Sequence, residues 1–396
     1  MKARSRLLHR LLFSTVLLSV PASFAFAQEV EDVGARVKAV MAEHGTNIDW
    51  TSLSGDESQM VLEGVTLSTP DNSEKIAVGT VTIDDITEDD GGYTLGTVTL
   101  PNYAASQEGM DVKVSGAVFS GVELPAEGGT DPLANILFYD SVEIADVSVS
   151  NAGKPVFTLT GLSLDLTSAE DGQPLTFTGS AEKFTADLST VEDAQTKAAI
   201  DAFGYQTING SMELSGSWQP SDGRVQLSQY DLAINDAGTL GLTFDLGGYT
   251  PDFIKSMQEM QKQMAAKPEG ADNSAQGLAM LGLMQQLTFH GASIRFEDDS
   301  LTAKVLEYVA GEQGQKPADI ANQTKAVLPF MLAQLNNPDL TTQITAAVSK
   351  FLDNPQSLKI AAAPAQPVPF ALIMAGAMAS PADLTKTLGV SVTANE

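Results

Sequence analysis

Val65-Thr66-Leu67-Ser68, a turn, then Val81-Thr82-Ile83-Asp84 is echoed further on. The echo is Val147-Ser148-Val149-Ser150, a turn, then Leu162-Ser163-Leu164-Asp165. The first blocks are offset by 82 positions and the second by 81. Each block alternates an apolar residue with a small polar one, the period of a strand with one face buried. The same texture fills Val61 to Leu246, broken by turn-forming clusters. These are Pro70-Asp71-Asn72, Asp90-Gly91-Gly92, Asn151-Ala152-Gly153, Glu170-Asp171-Gly172, Ser221-Asp222-Gly223 and Asn235-Asp236-Ala237-Gly238. Such residues accept positive φ or close a turn with their own side chains. The reading is a long antiparallel meander rich in Thr and Val.

Outside this stretch the texture is helical. Val30, Val33, Val37, Val40 and Met41 place an amphipathic helix over 29–44, with Gly45 ending it. Trp50 is expected at the junction of this helix with the sheet. A short helix is expected at 190–203. After Tyr249, Pro and Asp pairs open helices: Pro251-Asp252, Pro317 with Asp319, Pro338-Asp339, and Pro381 with Asp383. Proline at a helix start loses no hydrogen bond, and Asp faces the positive end of the helix dipole. Helices are predicted at 251–266, 275–285, 301–311, 318–335, 339–352, 368–378 and 381–388, with a surface loop over 267–276. Strands return at 287–297, 357–362 and 387–393. The fold class is α+β: a long antiparallel, curved sheet, groove-like or taco-like, with a mostly helical C-terminal part packed on it. The segments read as 1–27 signal peptide, 28–248 β-rich repeat-like region, and 249–396 helical region with returning strands, the last two forming one unit if those strands join the sheet.

Lys2, Arg4, Arg6 and Arg10 precede an apolar run from Leu11 to Val20, and Ala25-Phe26-Ala27 supplies a small-x-small cleavage site. This is the pattern of a secretory signal cut after Ala27, so a periplasmic location is expected. With no cysteine, neither a lipoprotein start nor a disulfide can form. The 22 basic and 50 acidic residues give −28; losing the signal's four basic residues leaves −32. Such a field repels phosphate backbones, which argues against nucleic acid as a partner. No transmembrane segment is expected after signal cleavage: Val368 to Ala379 is too short to span and reads as a buried core helix.

Catalytic signatures are absent from the sequence. Once the signal is removed, His44 and His290 are the only histidines, in different textures, and His290 is expected on a polar strand face. The acidic clusters Asp84-Asp85, Glu88-Asp89-Asp90 and Glu297-Asp298-Asp299 lack the spacing of a calcium loop. They read as solvated turns. No nucleotide fingerprint or nucleophile elbow occurs, and no cofactor or metal is implied. The distinctive candidate is an apolar stripe on two methionine-rich helices: Phe253, Met257, Met260 and Met264 at spacings of 4, 3 and 4, continued by Leu281 and Met284, with Leu278 beside them. Thioether side chains adapt to irregular apolar ligands.

The helix at the start, the strand echoes of the form G-V-x-L and V-x-I, Asp236-Ala237-Gly238-Thr239-Leu240, and the closing Pro381-Ala382-Asp383-Leu384 together resemble the YdgA-like and AsmA-like envelope proteins of Gram-negative bacteria. The resemblance implies a curved β-groove with an apolar inner face and a role in envelope lipid handling. The expected function is a soluble periplasmic, non-enzymatic protein that binds a lipid or other apolar ligand or maintains the envelope. The alternative is a structural protein that pairs through a sheet edge with an envelope partner. A carboxylate-dependent hydrolase is the third reading.

Overall fold

The computed structural model describes residues 23–69, 75–107, 109–128, 138–167, 173–265, 274–333 and 336–396. The positive n-region, the apolar run of the signal, the first and fourth of the turns quoted above, and most of the 267–276 loop lie outside them.

Among the described residues, seventeen strands form one antiparallel sheet, which is curved and does not close. The first six are β1 (Asn47–Asp49), β2 (Ser52–Gly55), β3 (Gln59–Ser68), β4 (Lys75–Asp89), β5 (Gly92–Thr99) and β6 (Tyr103–Gln107). Then come β7 (Met110–Leu124), β8 (Ser141–Asn151), β9 (Lys154–Thr167), β10 (Leu175–Asp187), β11 (Thr207–Gln219), β12 (Arg224–Ile234) and β13 (Gly238–Gly247). The last four are β14 (Thr288–Asp298), β15 (Ser357–Ala362), β16 (Val368–Pro369) and β17 (Val390–Ala394). From β2 to β5 and from β6 to β15 successive strands pair in chain order, and β5 also pairs with β7. Three short strands lie beside a longer partner: β1 on β3, β6 on β7 and β16 on β14. The returning strands join the same sheet, β14 on β13, β15 on β14 and β17 on β15. The two echoed blocks form the hairpins β3–β4 and β8–β9.

The helices are α1 (Ser23–Glu43), α2 (Ala194–Phe203), α3 (Pro251–Ala265), α4 (Ser274–Met284), α5 (Leu301–Gln313), α6 (Pro317–Leu332), α7 (Pro338–Asp353), α8 (Phe370–Ala379) and α9 (Pro381–Thr387). α3, α6, α7 and α9 start at the prolines of the Pro and Asp signals, while α2 begins at Ala194, four residues after its expected start. α1 begins at Ser23, ahead of the expected start, so its first turn runs through the Ala27 position. The strands run past breaks in their alternation: β7 continues through Gly116 to Leu124.

That extension has a physical cause. In β7 the apolar positions step from Val114 to Ala117, in β8 from Val147 to Ile144, in β9 from Leu159 to Leu162, and in β10 from Ala181 to Phe184. Each step is three residues, not two. The extra residues align as a row, Gly116 against Ala145 and Gly161 against Glu182. Register therefore stays in phase from β7 to β10 and slips at β11, between Ala181 and Phe184. Gly116 and Gly161 both have φ of 62°, a backbone that side chains resist. The row is a crease, and it lets a long strand bend while its apolar side chains stay on one face.

The main core sits at the first end of the ribbon. Val30, Val33, Val37 and Val40 of α1 pack on Met60, Leu62, Val65, Ile83, Ile86, Leu95 and Val122. Met60 is 0% exposed. Burying side chains of this size stabilises by about 1.5–3 kcal/mol each. Arg36 ties α1 to the end of β7 by donating to the Pro125 carbonyl. Trp50 lies at the expected junction, with Lys38 Nζ 4.3 Å from its ring centre and Gly34 against it. A second, smaller core forms at the other end of the ribbon, where Ala347 and Phe351 of α7 meet Phe296, Leu358, Val392 and Ala394.

Candidate functional site

The two cores lie on the same face of the sheet. A row of paired residues shows this: Ala117, Ile144, Leu162, Ala181, Met212, Leu232, Leu240, Phe296, Leu358 and Ala394 oppose one another in turn from β7 to β17. Every member is apolar. Its far end lies beneath α7. Between α1 and α7, the side chains of β8 to β13 belong to neither buried cluster.

Most of these side chains are only partly covered, although Ala181 is 1% exposed. Ile144, Leu162, Met212 and Leu232 are half-buried, as are Val142, Leu159, Leu164 and Leu214 in the flanking rows. Leu240 is 37% exposed, Ile360 47% and Ile294 52%. At a strand spacing of about 4.8 Å, β8 to β14 make a floor roughly 30 Å across. Contiguous apolar surfaces on this scale are uncommon on soluble proteins.

The opposite face is polar and satisfied by its own hydrogen bonds. Ser163 and Ser180 hydroxyls lie 3.0 Å apart, and Thr243 and Ser293 2.8 Å apart. Arg224 donates to both oxygens of Asp245 at 3.0 and 2.7 Å, and Gln226 donates to the same carboxylate at 2.8 Å. Burial pushes the Asp245 carboxyl up, but the hydrogen bonds from Arg224 and Gln226 and the Arg224 charge outweigh it, leaving it below its ordinary value. Thr176, Thr178, Gln229 and Arg295 continue this polar side.

One end of the trough is finished by aromatic and methionine side chains. Trp218, buried on β11, donates from Nε1 to the Tyr249 carbonyl at 2.8 Å. The Tyr249 ring lies 5.5 Å from Phe253, the first member of the apolar stripe. Phe253 and Met260 are buried at 2% and 6%. Met257 and Met284 are half-buried, and Leu278 and Leu281 face solvent. The side chain of Met264 lies outside the described residues. The stripe is thus split: Phe253 and Met260 of α3 pack inward at the Trp218 end, and α4 is bare at Leu278 and Leu281. At the opposite strand end, Phe203 of α2 stacks edge-on with Tyr205 and Tyr308 at 6.0 and 5.5 Å. The sequence reading located the stripe but not the row, because the row's members lie on ten different strands.

Among the described residues, the acids whose pKa departs from the ordinary value, Asp56, Asp187, Asp193 and Asp245, are all lowered. A general acid needs the reverse. Among the described residues, no group of three or more His, Asp or Glu is arranged to hold a metal ion. His290 is half-buried, with Nε2 3.2 Å from the Thr288 hydroxyl. A cavity of about 240 Å³ between α1 and the sheet is lined by Val30, Val33, Ile86 and Tyr93, with Glu57, Thr87 and Glu88.

The sheet edges are guarded. The outward N–H of Val392 on β17 donates to the Gln343 side chain of α7 at 3.4 Å. The other edge consists of the two short strands β1 and β2. Both devices discourage strand addition.

A family model described only as "Uncharacterized protein" matches residues 231–395, from within β12 through β17. A search of curated proteins finds no match to the chain.

Proposed function

We propose that this chain is a non-enzymatic binding protein that holds an apolar ligand, a lipid acyl chain in kind, along the face of β8 to β14 between α1 and α7. The observation that carries the proposal is the unbroken apolar row from Ala117 to Ala394, partly exposed at Ile144, Leu162, Met212 and Leu232 and open at Leu240. An acyl chain is about 15 Å long, half of a bilayer's ~30 Å core, so a floor of roughly 30 Å takes one or two end to end. Filling it removes apolar surface from water at about 25 cal/mol per Å². The signal-like N-terminus supports a periplasmic setting, and the methionines of α3 support an adaptable stop at the Trp218 end. Edge pairing with an envelope partner has less support, since Gln343 occupies one edge.

The test is native mass spectrometry with lipid extraction on protein exported to a bacterial periplasm and purified without detergent. The expected result is an added mass that extracts as lipid. It should be lost in Met212→Glu, which places a charge in mid-row, and reduced in Met257→Asp. A bare chain mass with no lipid in the extract sinks the proposal.

A further inference from the structure

The segment 368–379, which reads as a buried core helix, is not one: none of the ten residues of α8 is buried. The helix packs against its neighbours α4, α9 and β16, at the end of the strands. Leu372 is 61% exposed and Met378 90%. α4 beside it bares Leu278 at 71%. The last turns of α6 reach the same end: Thr341 at the start of α7 donates to the Leu332 carbonyl, Asn337 donates to Thr385 of α9, and Leu384 of α9 lies against Gly376 of α8. There Phe330 and Met331 are 80% and 68% exposed.

We propose that this helical end, formed by α4, α8 and the last turns of α6, docks on a lipid bilayer with neutral headgroups. Two observations select that occupant. The first is direction. Leu372 and Met374 are two residues apart, about 200° around the helix, and both are exposed. A folded partner or a second copy covers one side of a helix; a fluid covers both. The second is charge. Residues 274–286, 326–337 and 368–382 contain no Asp, Glu, Lys or Arg, in a chain of net charge −28. Nothing there can pair with a charged partner, and the rest of the molecule repels anionic lipid. Among the described residues no helix is long and apolar enough to cross a membrane. The ten residues of α8 extend about 15 Å, enough to lie within one leaflet's surface. The inference is independent of the trough.

The test is flotation of the exported chain with phosphatidylcholine vesicles. The chain should float, raised salt should leave binding unchanged, and added anionic lipid should weaken it. The pairs Phe330→Asp with Met331→Asp and Leu372→Asp with Met378→Asp should each lower partitioning by about tenfold or more. All four positions are exposed, so the urea midpoint should hold. Met212→Glu should still float, which separates this surface from the trough. Failure of the wild-type chain to float overturns the proposal. So does a concentration-dependent dimer in sedimentation that the same paired substitutions abolish, because the occupant is then a second copy.

Discussion

If the crease is what bends β7 to β10, alanine at Gly116 and at Gly161 should have unequal costs. Both residues have φ of 62°, so either alanine is forced into the left-handed region at about 1–2 kcal/mol. The entropy that alanine removes from the unfolded chain is the same for both and cancels in the comparison. Their surroundings differ. A Cβ on Gly116 meets the Ala145 Cβ at 2.6 Å. A methyl group has no rotamer that clears the contact, so backbone must move, as in overpacking, at about 1–3 kcal/mol more. A Cβ on Gly161 meets Glu182 Cγ at 2.5 Å, and that exposed side chain can swing away. Gly116→Ala should therefore destabilise by about 1–3 kcal/mol more than Gly161→Ala. Ala145→Gly should recover most of the excess, less about 0.5–1 kcal/mol for the added glycine. Urea unfolding at constant m-value measures each term. Equal losses at the two glycines, or no coupling between positions 116 and 145, would refute the account of the crease.

Three further outcomes are expected. Asn337 is buried, accepts from Leu340 N–H at 3.2 Å and donates to Thr385 at 3.0 Å, so Asn337→Ala should lose about 1–2 kcal/mol in urea unfolding. Met60→Ala leaves a void between α1 and the sheet and should lose about 2–5 kcal/mol, with faster amide exchange across α1. Asp245 has a folded pKa below its unfolded value of about 3.9. Its contribution is thus complete above that pH and disappears as pH falls through the lower, folded value. In Asp245→Asn this part of the acid-side decline should vanish from stability measured between pH 5 and 2.

The helices were largely legible because their signals are local. Proline followed by Asp marks the starts of α3, α6, α7 and α9, and α2 ends at Gly204 with φ of 74°. The β-hairpin at Asp90-Gly91 was equally plain, since both residues have positive φ. Strand lengths were not. Alternation breaks at Gly116 and again at Gly161, and a break of period looks like the end of a strand when the neighbouring strands are unknown. α8 misled for a related reason. Its composition announces burial, but burial is decided by what stands opposite, and α4, α9 and β16 leave every residue of α8 at least partly exposed. As for the site, the stripe beginning at Phe253 follows from helix spacing. The row through Leu162, Met212 and Leu240 exists only once registers are fixed.

From β7 to β14 each strand pairs with its chain neighbours, which makes the length of this stretch adjustable in discrete steps. Excising two successive strands, for instance β8 with β9, would leave up-and-down order intact and keep every remaining side chain on its own face. Because β7 to β10 all carry the extra residue, the survivors would still match. The ribbon would shorten by about 10 Å. Insertion would lengthen it by the same increment. The architecture is in that sense a ruler, with whole hairpins as its divisions and α1 and α7 as its end stops.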